Sequence, residues 1–130
     1  MRLIFLLFLF GSSKLFATSC YFSDEMLTEY NSKYADQLTI KIKENDSKYL
    51  VNIELPKTIN GKDFNFVWLV SDSLDSPSFS AQLATFEGDN EYWAWYEIDA
   101  AMIRRHIFLA SYGETLNDCP FNLSKEVFYN

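Results

Sequence analysis

The sequence predicts an all-β fold, an antiparallel β-sandwich of about seven strands that is immunoglobulin-like in a loose sense, with a short N-terminal helix as one reading of the segment before the first strand. Three observations predict it. Apolar and polar residues alternate at period two over most of residues 38–129, which turns one face of each run toward a core. Turn-forming clusters of Asn, Asp, Gly, Pro and Ser recur every roughly 8 to 14 residues, with no long helical stretch between them. The chain of 130 residues is 18% aromatic and 48% apolar, enough to fill one core and too apolar for intrinsic disorder.

Residues Ser23 to Tyr34 carry a helical pattern: Ser23 is a capping residue, Asp24 and Glu25 fall in a first turn, and Met26, Tyr30 and Tyr34 recur at a spacing of four. The alternative is an irregular first strand or arm. Leu38, Ile40 and Ile42 then alternate with Thr39, Lys41 and Lys43 as a half-buried strand. After the polar turn at Glu44–Lys48 the alternation resumes with Tyr49, Val51, Ile53 and Leu55, until Pro56 ends it. These two runs predict a hairpin. Asn60-Gly61 tolerates positive φ, and a third strand follows from Phe64 to Val70. Phe64, Phe66, Trp68 and Val70 are placed on one of its faces, with Trp68 as the buried core tryptophan of a sandwich. Val67 and Leu69 make the other face apolar as well, so this strand is predicted to be central.

Ser71 to Pro77 is a loop of turn formers, and Ser78 to Phe86 reads as a fourth strand with Phe79, Ala81 and Leu83 inward. Glu87-Gly88-Asp89-Asn90 reverses the chain into a fifth strand, Glu91 to Ile98. Asp99 to Met102 is a bend or a single helical turn. Ile103 to Tyr112 is read as a strand because Ile, Phe and Tyr dominate it, although Asp99 followed by alanines also suits a helix start. Gly113 to Pro120 is a polar loop, and Phe121 to Tyr129 is the seventh strand. No cysteine falls on the second or sixth strand, so the usual inter-sheet bridge of that architecture is absent and a small closed barrel is the alternative.

One domain is expected over residues 18–130, since about 100–200 residues make one. Residues 1–17 read as a secretory signal peptide: Arg2, an apolar run from Leu3 to Phe10, then Gly11, Ser12, Ser13 and a small residue at Ala17. The run is too short to span a bilayer, which takes about 20 apolar residues. Without this segment the formal charge moves from −7 to −9, because only the basic residues Arg2 and Lys14 leave. Such acidity disfavours nucleic acid, whose phosphates require clustered Lys and Arg. The expected location is extracytoplasmic, periplasmic or secreted.

There are two cysteines. In an oxidising compartment Cys20 pairs with Cys119, closing a loop of about 100 residues with a stabilisation of roughly 4–5 kcal/mol before strain. The competing reading makes Cys20 a lipid-modified first residue. Ala17-Thr18-Ser19-Cys20 resembles a bacterial lipoprotein box, with Ala17 where that box has Leu. An even cysteine count in a small exported chain favours the bridge.

The catalytic inventory is thin: no catalytic residue and no cofactor is predicted. His106 is the single histidine, in the run Arg104-Arg105-His106. A ring packed at the core edge is its expected role, since adjacent cations disfavour imidazolium; a small hydrolase using His106 is the functional alternative. No G-x-S-x-G, H-E-x-x-H or G-x-x-x-x-G-K-[ST] motif occurs. Glycosidase chemistry needs two carboxyls across a sugar-sized cleft, and a small sandwich has little chain to wall one. The acidic turns Glu87–Glu91 and Asp72 with Asp75 match no calcium loop, and their residue types are those that turns favour. No metal site is assigned.

The run Tyr92-Trp93-Ala94-Trp95-Tyr96 is the most suggestive feature. On a strand Trp93 and Trp95 leave the same face about 7 Å apart, a spacing suited to stacking on sugar rings or anchoring a partner. The competing expectation buries both indoles and shows the Tyr92 and Tyr96 hydroxyls to water, because Tyr is more at home at a surface than Trp. The function predicted is a non-enzymatic exported domain that binds an extracytoplasmic protein or inhibits an enzyme. A carbohydrate-binding module using Trp93 and Trp95 is the alternative.

Overall fold

The computed structural model describes residues 23–113 and 119–129. The signal segment 1–17 and Cys20 lie outside the described residues. Helix α1 (Asp24–Tyr34) begins where Ser23 Oγ accepts a hydrogen bond from Met26 N at 3.1 Å, satisfying one of the donors that a helix N-terminus leaves unpaired. A single 3-10 turn at Ala35–Gln37 hands the chain to the first strand. The helix is therefore the outcome, and the arm is not.

Strands β1 (Thr39–Asn45), β2 (Lys48–Pro56), β7 (Glu91–Asp99) and β6 (Phe86–Glu87) form one antiparallel sheet in the order β1-β2-β7-β6. The second sheet runs β3 (Thr58–Ile59), β4 (Lys62–Ser71), β8 (His106–Tyr112), β9 (Phe121–Val127), with β5 (Phe79–Gln82) also paired to β4. The two sheets pack as a sandwich, and their facing side chains make the core. Nine strands replace the seven expected, for two reasons. Asn60 and Gly61 both hold positive φ, 52° and 73°, which is what a two-residue type I′ turn requires; they close a hairpin on the short strand β3, where Ile59 faces Lys62. The run Ser78–Phe86 also divides, β5 pairing with β4 and β6 with β7, so that the chain crosses from one sheet to the other. That division leaves Phe79 54% exposed instead of inward.

The face assignment of β4 is corrected as well. The pairing with β8 shifts register between Phe64 and Phe66, a bulge that adds a residue and reverses the parity of everything after it. Phe64, Val67 and Leu69 therefore join the core, while Phe66 and Trp68 stand half-buried on the other side. Trp68 is not the buried core tryptophan. The strand is interior to its sheet, as predicted, with β8 on one side and β3 and β5 on the other.

Helix α1 buries none of its residues fully but covers the open edge of β9. Asn31 donates from Nδ2 to Ser124 Oγ at 2.8 Å and accepts from Ser124 N at 2.9 Å, doing for this edge what a further strand would do. Tyr30 stacks on Phe121 with ring centroids 4.7 Å apart, and Tyr34 lies 5.8 Å from the same ring. Among the described residues no helix is long and apolar enough to cross a membrane.

Candidate functional site

The orientation of the aromatic run on β7 is decided by β2. On β2, Tyr49, Val51, Ile53 and Leu55 point into the core, and the residues between them, Leu50, Asn52 and Glu54, point out. The register sets Val51 opposite Tyr96, Ile53 opposite Ala94 and Leu55 opposite Tyr92, and paired residues share a face. Tyr92, Ala94 and Tyr96 therefore turn inward. Ala94 is fully buried against Ile53, a position with room for a methyl group and none for an indole.

Trp93 and Trp95 consequently stand on the outer face, 41% and 51% exposed. The expectation that both indoles belong to the core is overturned. It rested on the surface preference of tyrosine, and here the Tyr96 hydroxyl is satisfied inside: it is hydrogen-bonded to the Tyr129 hydroxyl, which lies 2.8 Å from His106 Nδ1. Once the phenol has an internal partner, the argument for exposing it disappears.

The outer face reads in rows across the strands. Thr39, Glu54, Trp93 and Phe86 form one row, Lys41, Asn52 and Trp95 the next, Lys43, Leu50 and Glu97 the third. Phe86 is 51% exposed directly opposite Trp93, so three exposed aromatic rings occupy one side of this face. Sequence reasoning found the two tryptophans and missed Phe86, Leu50, Asn52 and Glu54. The alternation of β2 carried their outward direction, but their nearness to the indoles follows from the β2–β7 and β6–β7 pairings, which no local pattern encodes. Two diagonal ion pairs border the rings, Lys41–Glu54 at 2.7 Å and Lys48–Glu97 at 3.1 Å, and each raises the pKa of its lysine, chiefly through the hydrogen bond to the glutamate.

His106 opens β8 with its ring enclosed, only 5% exposed, tilted against Tyr96 and edge-on to Tyr129. Burial first, and then the Arg104 guanidinium, hold its pKa below the ordinary 6.5, against opposing influences from Asp72 and the Arg104 backbone. A neutral ring with its proton on Nε2 lets hydrogen bonds run from Tyr96 to Tyr129 to Nδ1, and that tautomer pairs all three groups. The phenols of Tyr96 and Tyr129 are pushed up, chiefly by burial. Arg104 is held by both oxygens of Asp72, at 3.2 and 2.8 Å, and Arg105 by Glu126 at 2.6 Å. The Arg-Arg-His run thus splits into two surface clamps and one core ring.

A cleft of about 610 Å3 opens between the edges of β1 and β9, floored by Leu38, Ile40 and Ile42. The Lys125 ammonium beside it donates to the carbonyls of Ala35 and Leu38, and the cleft holds none of the predicted site residues. Among the described residues no cluster of three or more His, Cys, Asp or Glu is placed to hold a metal ion. Cys119 is exposed just before β9, and its carbonyl accepts a hydrogen bond from Lys62 Nζ at 2.8 Å; its expected partner Cys20 lies outside the described residues. No family model, curated protein or solved structure matches the chain.

Proposed function

We propose that the protein is an exported, non-catalytic binding domain whose contact surface is the outer face of the β1-β2-β7-β6 sheet. One observation carries the reading: Trp93, Trp95 and Phe86 are exposed together on one sheet face. Large apolar rings grouped in water mark binding surfaces, and tryptophan is among the residues that supply most of the energy where partners meet. The enclosure of His106, with Nδ1 taken up by Tyr129, favours binding over the hydrolase alternative. The signal-type segment 1–17 and the acidity of the rest of the chain suit an extracytoplasmic protein that meets an envelope component there, either a protein, including an enzyme it inhibits, or a glycan.

The test is capture of binding partners from an extracytoplasmic extract with the tagged wild-type protein and with Trp93→Ala/Trp95→Ala. Components held by the wild type and released by the variant are the expected result; identical retention by both overturns the assignment of this face. A measurable turnover that disappears in His106→Gln with the fold intact overturns the non-catalytic reading. The same proposal includes the Cys20–Cys119 bridge, which joins the start of the exported chain to the start of β9. Intact mass without reductant should be lower than the reduced mass by two hydrogens; two free thiols or added acyl chains would refute the bridge.

A further inference from the structure

We infer that the ligand of this face is an uncharged glycan chain, with successive sugar rings lying on the indoles of Trp95 and Trp93. The inference rests on the proposal that this face is the contact surface and adds the chemistry of what lies on it. A pyranose ring has an apolar face of C–H groups and a rim of hydroxyls. A surface that holds it must offer flat apolar area and, close beside it, hydrogen-bonding groups.

The face offers both in alternation. The indoles leave one strand on the same side, about 7 Å apart, and Phe86 extends the apolar area across from Trp93. Asn52 is paired directly with Trp95 and Glu54 with Trp93, so each indole has a polar neighbour in its own row. Asn52 Oδ1 is the one buried side-chain acceptor among the described residues that lacks a hydrogen-bond partner. The Asn52 side chain as a whole is only half-buried, so a turn of its amide presents this oxygen to a hydroxyl beside Trp95, and the bond relieves a penalty the free protein carries.

Charge decides the class of ligand. On this face Lys41, Lys43 and Lys48 stand against Glu54, Glu91, Glu97 and Asp99, so it is close to balanced, one acid in excess, on a strongly acidic chain. A basic partner finds an excess of only one acid here, and a polyanionic glycan is repelled by this face and by the rest of the molecule. An apolar protein anchor would have to strip water from the Lys41–Glu54 and Lys48–Glu97 pairs, which is costly. Sugar hydroxyls replace that water with hydrogen bonds of their own.

The test titrates the indole emission of the purified protein with cellohexaose, chitohexaose and mannohexaose, and with hexagalacturonate as the polyanion. Saturable binding of at least one uncharged chain is expected, insensitive to salt, weakened roughly tenfold or more by Trp95→Ala and retained by Phe79→Ala, which removes an exposed ring elsewhere. Absence of binding to all three uncharged chains, or salt-sensitive binding of hexagalacturonate alone, overturns the glycan. If the tryptophan variants still lose a captured protein, the contact surface stands without it. Tryptophan variants that match the wild type in both assays remove glycan and contact surface together.

Discussion

Trp95 and Tyr96 are neighbours in one strand, yet they belong to different regions of the molecule. Tyr96 is enclosed in a hydrogen-bonded core group with Tyr129 and His106, while Trp95 stands in water over a polar row. Both residues are large, aromatic and favourable in strands. The pleat alone separates them, because successive side chains point to opposite faces. What fills the core and what remains for a ligand are thus set by parity, and a slip of one residue would exchange them.

The contrast is tested most strongly from the inside. Phe108 is fully buried with its ring 5.7 Å from Tyr96; Phe108→Ala is expected to lower stability by about 3–5 kcal/mol, read from the denaturant midpoint. A shift below about 1 kcal/mol would mean this core is not packed as described.

The polar part of the core comes next. Tyr129→Phe removes the hydroxyl between Tyr96 and His106 and leaves both without that partner, a loss of about 1–3 kcal/mol. Unchanged chemical denaturation would show that water takes its place.

The same group sets a pH response. His106 has a folded pKa below the ordinary 6.5, so over the interval between the two values the unfolded chain binds more protons than the folded one. The stability due to the neutral ring is complete above 6.5 and is lost as the pH falls from there through the folded pKa. Asp72, lowered first by Ser78 and then by Arg104, responds in the same direction near and below its ordinary 3.8, outside the histidine's range. Stability measured from pH 7 to about 5 should therefore decline in the wild type and flatten in His106→Gln; equal slopes would remove the histidine from the account.

The smallest effect on stability belongs to the outer face. Trp95→Ala should cost about 1 kcal/mol or less while removing the binding assigned to this surface. A loss as large as that of Phe108→Ala would place the indole among structural residues.

Much of the fold was legible locally. β2 alternates so regularly that its core face can be read directly, and Asn60-Gly61 states its turn because few residue pairs accept two positive φ angles. The candidate site was half legible. Trp93 and Trp95 were identifiable as a pair on one face, and Glu91, Glu97 and Asp99, which alternate onto that same face, carried a signal of its outward direction that the aromatic run obscured. Tyrosine's surface preference pointed the wrong way because Tyr129, 33 residues further on, offers Tyr96 a partner inside. On β4 the error was of another kind: a single bulge, set by pairing with β8, reversed the alternation and moved Trp68 off the core.

The sequence by itself determined the class of fold, the capping residue and first-turn acids of a candidate first helix, the positions of most strands and turns, and the identity of the aromatic residues able to bind something. These depend on interactions within a few residues, capping, turn dihedrals and side-chain period, which local sequence encodes. Only the tertiary structure decided which aromatic rings are core and which are surface, that Phe86 lies beside Trp93, and that Asn52 Oδ1 lacks a hydrogen-bond partner in the row of Trp95. Those outcomes depend on which strand pairs with which and in what register, and that is settled by the fit of side chains far apart in the chain.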